Sequence, residues 1–195
     1  MTKRKDKKAR IADHTAMICM QNYTTLEQRA SWLENVIGSC LVGKRLFEFD
    51  QRLGIFVFNF GDGIEYSLHV ECFLRVTQGN TILLTSNDQF YSPNWEPLSK
   101  REYKKEQNMP RGRSLLSVSA ERLRHVTNHS VVQAVKIEGL GDLSILFDNG
   151  VRIEVCLDRM EQNNEFYRFF KYRSDPHYVV KYLDGKVVLE TVGEQ

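Results

Sequence analysis

The chain has 195 residues, of which 42% are hydrophobic and 27% charged, and its formal net charge is only +2. These values are typical of one ordinary soluble globular domain. No apolar run approaches the ~18 residues of a membrane span, and no uncharged apolar core follows the charged N-terminus, so the sequence predicts neither a membrane partner nor a secretory signal. We therefore expect a cytoplasmic protein.

The cysteines give no sign of a metal site or a disulfide framework. They stand far apart, without a C-x-x-C pair: Cys19, Cys40, Cys72 and Cys156. This spacing disfavours structural zinc, and reduced, packed thiols are expected in a chain without an export signal. The motifs G-x-S-x-G, G-x-x-x-x-G-K-[ST] and G-x-G-x-x-G are lacking as well, so the sequence indicates no cofactor and no catalytic location.

The chain divides into an arm and one domain. Residues 1–10 carry six basic groups and one acidic group without apolar periodicity, and we expect them to be a disordered basic arm. Residues 11–195 are interpreted as a single globular domain. It has a first half (11–91), a polar excursion with three prolines (92–118) and a second half (119–195); long polar loops of this kind are often functional or disordered.

One helix is predicted clearly, from Thr24 to Ile37. Thr24 and Glu27 match a capping box, and Gly38 suits a left-handed C-terminal cap. One apolar stripe follows from the spacing of Leu26, Ala30, Leu33 and Ile37.

Two shorter helices are predicted in and after the polar excursion. Ser99 and Glu102 are placed to cap a helix that extends as far as Gln107. Ser119 is placed to cap another helix that extends to Thr127.

Hairpins dominate the rest of the chain. Four turns lie between alternating strands: Asp62-Gly63, Gly79-Asn80, Asn149-Gly150 and Asp184-Gly185. When Gly63 is aligned with Gly150, the first hairpin matches the third. This similarity has two explanations, duplication of a β-unit and independent use of the same turn. The sequence therefore predicts an α+β fold, mainly antiparallel β: a twisted sheet or half-barrel built from repeated hairpins, with a packed N-terminal helix.

A polar strand face follows the first turn. Alternation places Ile64 inward and Glu65, Ser67, His69 and Glu71 outward. Two carboxylates beside an imidazole suit a hydrolase-like or metal-dependent enzyme. A solvated face or a cross-strand ion pair is the alternative, because outward positions of antiparallel strands are commonly polar.

Basic residues concentrate in the arm 1–10 and in 99–124. The latter segment contains a candidate basic patch: Lys100, Arg101, Lys104, Lys105, Arg111 and Arg113. Such a patch suits nucleic-acid phosphates. Interleaved glutamates dilute its field, and RNP and helix-turn-helix signatures are lacking.

A protein interface is the preferred functional hypothesis. Its candidate residues are Tyr91, Trp95, Tyr103, Glu154 and Asp158, because aromatic side chains in polar loops are frequent interface anchors. The second half is acidic and would complement a basic partner. We expect a non-catalytic protein-interaction module that binds another protein. The first alternative is nucleic-acid binding, and the second is an enzyme that uses the strand face of Glu65, His69 and Glu71. The oligomeric state is not indicated.

Two stretches resemble a group of uncharacterised small bacterial β-rich proteins, some of which look like immunity proteins of toxin systems. Residues 67–93 share a spaced pattern with the group: Cys72, Arg75, Gly79, Ser86, Asp88 and Phe90. In this stretch Phe73 replaces the Pro that often follows the Cys. Residues 141–170 resemble the second half of the group, although Tyr167 replaces an expected Trp. The resemblance implies a bacterial, cytoplasmic, β-rich protein and implies no activity.

Overall fold

The computed structural model describes residues 25–108, 114–159 and 161–193, so the basic arm 1–10 lies outside the described residues. The α+β class with mainly antiparallel strands is confirmed. Within the described part, the chain forms three α-helices, one 3₁₀ helix and eleven strands: α1 (Leu26–Leu41), β1 (Leu46–Arg52), β2 (Ile55–Phe60), β3 (Tyr66–Val70), β4 (Phe73–Gln78), β5 (Thr81–Thr85), the 3₁₀ helix (Ser86–Phe90), α2 (Lys100–Asn108), α3 (Leu115–Thr127), β6 (Val132–Glu138), β7 (Asp142–Phe147), β8 (Val151–Cys156), β9 (Glu165–Lys171), β10 (His177–Leu183) and β11 (Lys186–Val192).

The strands form two antiparallel sheets that exchange strands between the halves of the chain. The six-stranded sheet has the order β1-β2-β3-β9-β10-β11, and the five-stranded sheet has the order β5-β4-β8-β7-β6. Each half thus contributes a three-strand meander, β1-β2-β3 or β6-β7-β8. The next strand of each half joins the other sheet: β4 pairs with β8, and β9 pairs with β3. The repeated hairpins are β2-β3 and β7-β8, which hold equivalent places in the two sheets.

The two meanders meet where they begin. Arg45 and Val131 form an isolated antiparallel bridge. Beside it, Gly43 N–H donates to the Val132 carbonyl, and Val132 N–H donates to the Lys44 carbonyl, each at 2.8 Å. This junction joins the edge strand β1 of one sheet to the edge strand β6 of the other.

One hydrophobic core lies between the sheets and the helices α1 and α3. It contains the predicted inward residues of β2, β7 and β8: Phe56, Phe58, Phe60, Leu143, Ile145, Phe147, Val151, Ile153 and Val155. Helix α1 packs against β6 and β11, and α3 packs against β5 and β1. These four are the edge strands of the two sheets. At the β6 edge, α1 also satisfies a backbone group, because Glu34 accepts a hydrogen bond from the Ile137 N–H at 2.8 Å.

The ends of α1 differ from the prediction. Thr25 and Gln28, one residue later than the predicted pair, form the capping box, and Thr24 lies outside the described residues. The helix continues through Gly38 to Leu41, and Gly43 adopts the positive φ of 81° beyond its end. The apolar stripe extends one turn further, because Leu41 is buried as well.

The two shorter helices are both present. Helix α2 has the predicted capping box, with Ser99 N–H donating to Glu102 Oε2 at 3.0 Å and Glu102 N–H to Ser99 Oγ at 3.3 Å. For α3 the predicted cap was wrong: Ser114 is the N-cap, and its Oγ accepts from Ser117 N–H. Ser119 is inside the helix, on the face that packs on the core.

Three of the four predicted turns are confirmed. The turns at Gly79, Gly150 and Asp184-Gly185 join adjacent paired strands, and these glycines have positive φ. The connection between β2 and β3 is a longer loop, 61–65, in which Gly61 has φ 122° and Gly63 is not left-handed. Ile64 is therefore outside the strand and only half-buried, contrary to the prediction.

Candidate interaction surface

The polar excursion begins with an ordered hairpin that displays Trp95. Its turn closes where Trp95 N–H donates to the Ser92 carbonyl at 2.9 Å, and Ser92 N–H donates to the Glu96 carbonyl at 2.8 Å. At the base, Leu98 N–H donates to the Phe90 carbonyl at 2.8 Å. The start of the predicted surface excursion is therefore a hydrogen-bonded structure around its tryptophan.

Trp95 combines an unfavourable backbone with an exposed side chain. Its φ is 65°, a left-handed value that bulky residues rarely adopt. Its side chain remains 71% exposed, so burial of the indole does not offset the cost. Conformational outliers of this kind cluster at functional sites and motivate a functional hypothesis.

The hairpin and α2 are packed together through Tyr103. The rings of Phe90 and Tyr103 lie 5.1 Å apart between centroids, and Tyr103 Oη donates to Gln89 Oε1 at 3.2 Å. The structure thus assembles the three aromatic residues predicted for an interface, namely Tyr91, Trp95 and Tyr103, in one unit.

The far end of α2 is fixed to α3 by a buried carboxylate. Glu106 is buried and accepts from Ser117 Oγ at 2.7 Å and from Ser114 N–H at 3.2 Å. These groups lie at the N-terminus of α3, where the helix dipole favours a negative charge. Sequence analysis did not identify this role, because the contact depends on how two helices pack.

The outward side of α2 carries four basic side chains. Lys100, Arg101, Lys104 and Lys105 are exposed, and at about 100° per residue they lie within an arc of about 140°. Glu102 falls on another side of the helix. None of the four basic groups forms an ion pair with another described residue. Arg111 and Arg113, which were predicted to join them, lie outside the described residues.

The two acidic interface candidates belong to other parts of the molecule. Glu154, on β8, pairs with Arg75 at 2.9 Å. Asp158 lies beside Arg159 at 3.5 Å, at the rim of an apolar groove of about 630 Å³. The structure does not bring them together with the aromatic hairpin.

Other acidic groups of the second half are also engaged within the fold. Asp142 accepts from Leu157 N–H at 2.8 Å, and Asp148 accepts from Val131 N–H at 3.2 Å. Glu165 forms two hydrogen bonds with Arg168. The ion pair of Glu165 with Arg168 offsets one negative charge of the second half, whereas Asp142 and Asp148 remain exposed.

The predicted strand face of Glu65, His69 and Glu71 is not assembled. Glu65 lies in the loop before β3, where its carboxylate contacts Lys44 Nζ at 2.7 Å and accepts from Asp62 N–H. The Lys44 contact, followed by that of Asp62, lowers the pKa of Glu65. Ser67, predicted outward and solvated, is buried and donates to Asn59 Oδ1 at 2.6 Å.

His69 belongs instead to a cluster across β3, β9 and β10. Its ring meets Phe170 edge-on at 4.9 Å, and Phe170 stacks on His177 at 4.4 Å. Arg168 Nη1 lies 3.2 Å from His177 Nδ1. Burial, and then Arg168, lowers the pKa of both imidazoles.

Glu71 directly follows β3, two residues after His69, and has a different environment. Burial, and then Glu165, raises the pKa of Glu71. Among the described residues, no direct hydrogen bond joins the imidazole of His69 to the carboxylate of Glu71. Sequence analysis missed Arg168 and His177 because they join β3 only through sheet pairing.

The described residues offer no evident metal site. No three His, Cys, Asp or Glu side chains among them are grouped closely enough to hold an ion. Cys40, Cys72 and Cys156 are free thiols, and burial raises the pKa of each one; Cys19 lies outside the described residues. In the same described part, no helix has the length and apolar character required to cross a membrane.

The positions behind the family resemblance serve the fold. Ser86 Oγ accepts from Leu74 N–H at 3.3 Å, and Asp88 accepts from both the N–H and the hydroxyl of Thr85. The buried Tyr167 donates to the Gly141 carbonyl at 2.9 Å. A pattern of such positions describes architecture and does not identify an activity.

Comparisons with known proteins add no functional information. No family model, curated protein or solved structure matches this chain. The function therefore has to be argued from the surface described above.

Proposed function

We propose that this protein is a non-catalytic protein-interaction module whose anchor is Trp95. The observation that carries the proposal is the exposed, left-handed Trp95 at the tip of a hydrogen-bonded hairpin. Tryptophan is enriched among the residues that dominate binding energy in protein interfaces.

The hairpin is suited to this role because it is ordered before binding. Its tip is fixed by the hydrogen bonds between Ser92, Trp95 and Glu96, and its base by the contact with Tyr103. A pre-ordered anchor loses little conformational freedom when it inserts into a partner, so more of the contact energy appears as affinity. An immunity-protein-like role, with a toxin as the partner, is the specific form that the resemblance suggests.

The test is affinity capture from cells of the source organism with three proteins. The wild type and Tyr172→Ala, which removes an exposed aromatic ring elsewhere, should recover the same stoichiometric protein. Trp95→Gly should lose it, and the purified partner should bind the variant at least about tenfold more weakly. Recovery of no stoichiometric protein, or equal recovery by Trp95→Gly, would refute the proposal.

Nucleic-acid binding is the second candidate, and it is supported by the basic face of α2, whose exposed side chains form no ion pair with described residues. Binding of this type would weaken steeply as salt rises, because phosphate contacts release counterions. Titration of mixed oligonucleotides at low and high salt tests the idea. Absence of binding at low salt would eliminate it.

A further inference from the structure

We infer that the basic face of α2, formed by Lys100, Arg101, Lys104 and Lys105, binds an acidic segment of the partner protein. This inference rests on the proposed function and specifies the chemistry of the partner.

Their placement is unfavourable for the isolated helix. Lys100 and Arg101 occupy the first turn of α2, where the positive end of the helix dipole disfavours cations. Lys100 with Lys104, and Arg101 with Lys105, are like-charge pairs four residues apart, which repel each other. No described acidic side chain forms an ion pair with them, so a partner with negative charge would relieve both effects.

The inward side of α2 fixes the direction of the basic face. Tyr103 packs on Phe90, and the buried Glu106 holds the end of the helix against α3. Lys100 lies five positions after Trp95, so their Cα atoms are at most about 18 Å apart even if the chain between them were fully extended. One partner surface can therefore contact the anchoring indole and the basic face together.

The size of the face favours an acidic protein segment over a nucleic acid. Lys100 and Lys105 are separated by about 8 Å along the helix axis, so the basic face can contact only a short stretch of an anionic chain. Domains that bind single-stranded nucleic acid have longer sites, which cover about four or more nucleotides. The exposed carboxylates of Glu96 and Glu102 lie in the same unit and limit how far along it an anionic ligand can extend, which favours a short acidic segment over a continuous phosphate backbone.

The experiment compares two labelled probes of equal net charge, a glutamate-rich peptide and an oligothymidylate, by fluorescence anisotropy at low salt. The test variant is K100Q/R101Q/K104Q/K105Q in the full chain. The matched control is R122Q/K136Q/K171Q/K186Q, which removes the same charge from four exposed residues that form no ion pair with described residues. Unfolding by urea verifies that both variants are folded.

We expect the wild type and the control to bind the peptide with affinities that agree within about twofold, and the α2 variant to bind at least about tenfold more weakly. No binding of the peptide by the wild type, or equal loss in both variants, would overturn the inference. Tighter binding of the oligothymidylate that depends on α2 would overturn it in favour of nucleic acid. If Trp95→Gly still abolishes capture of a protein in either case, the proposed function survives and only the partner chemistry is wrong.

Discussion

Trp95 and Gly150 occupy the same position in two hairpin turns that close in the same way. Trp95 N–H donates to the Ser92 carbonyl at 2.9 Å, and Gly150 N–H donates to the Phe147 carbonyl at 3.0 Å. Both residues are left-handed, with φ of 65° and 82°. Glycine is the usual residue at such a position, so the Trp95 turn carries a residue that its own geometry disfavours.

Replacing Trp95 with glycine should separate stability from binding. We expect Trp95→Gly to leave the free energy of unfolding unchanged or to raise it by up to about 1 kcal/mol, because glycine adopts positive φ without a steric cost. Gly150→Ala, the matched control, should lower it by about 1 kcal/mol. Urea denaturation measures both, and a clear loss of stability in Trp95→Gly would contradict the interpretation of a strained turn.

The charges of α2 should likewise be neutral or harmful to folding. Lys100→Gln combined with Arg101→Gln removes two cations from the first turn of the helix and two like-charge pairs. We expect the free energy of unfolding to rise by about 0.5 kcal/mol, measured by urea denaturation at low salt, with the gain shrinking at high salt. A loss of stability would mean that these side chains support the fold instead of serving a partner.

The loop between β2 and β3 gives a test that distinguishes two nearby glycines. A Cβ added at Gly61 would lie 2.7 Å from Glu65 Cγ, and its φ is 122°, whereas a Cβ at Gly63 would meet nothing within 4 Å. Gly61→Ala should therefore lower the free energy of unfolding by about 1–3 kcal/mol, and Gly63→Ala should change it by less than about 0.5 kcal/mol. If urea denaturation showed Gly63→Ala to be the more destabilising substitution, the predicted two-residue turn at Asp62-Gly63 would be the better description of this loop.

Stability should fall on mild acidification because of His69 and His177. Their pKa values are lowered in the folded state, so below about pH 6.5 the unfolded chain binds protons that the folded chain does not. The free energy of unfolding then decreases until the pH is below the lowered folded pKa values. Glu71 opposes this trend, since its raised pKa lets the folded state take up a proton first.

The control for this pH dependence is the variant His69→Gln combined with His177→Gln. The charged groups facing the two imidazoles, namely Arg52, Glu165, Arg168 and Asp175, are retained. Urea denaturation at about pH 7.5 and about pH 5.5 should show a smaller loss in the variant than in the wild type. An equal loss in both proteins would assign the effect to other groups.

Local sequence signals predicted the parts of the fold that local chemistry determines. Asn149-Gly150 and Asp184-Gly185 were identified because left-handed turns select these residues, and the apolar stripe of α1 because it recurs at helical spacing. The cap of α3 was misplaced at Ser119, because several serines near the start of this helix are compatible with capping and only tertiary packing selects Ser114.

Nonlocal contacts account for what could not be predicted. Gly61 replaces Gly63 as the critical glycine because Glu65 is drawn toward Lys44, 21 residues earlier. The crossing of β4 and β9 between sheets, and the resulting cluster of His69 with His177, depend on pairings that no short pattern encodes. The aromatic interface candidates were found from composition alone, whereas the left-handed backbone of Trp95 required coordinates.

The exposure of Trp95 should differ between the free and the bound protein if its indole is the anchor. In a Trp32→Phe variant, Trp95 is the remaining tryptophan, so acrylamide quenching of fluorescence reports on this side chain alone. The free protein should be strongly quenched, and the captured partner should lower the quenching and shift the emission to shorter wavelength. A free protein that resists quenching, or a bound one that is quenched as before, would contradict the account.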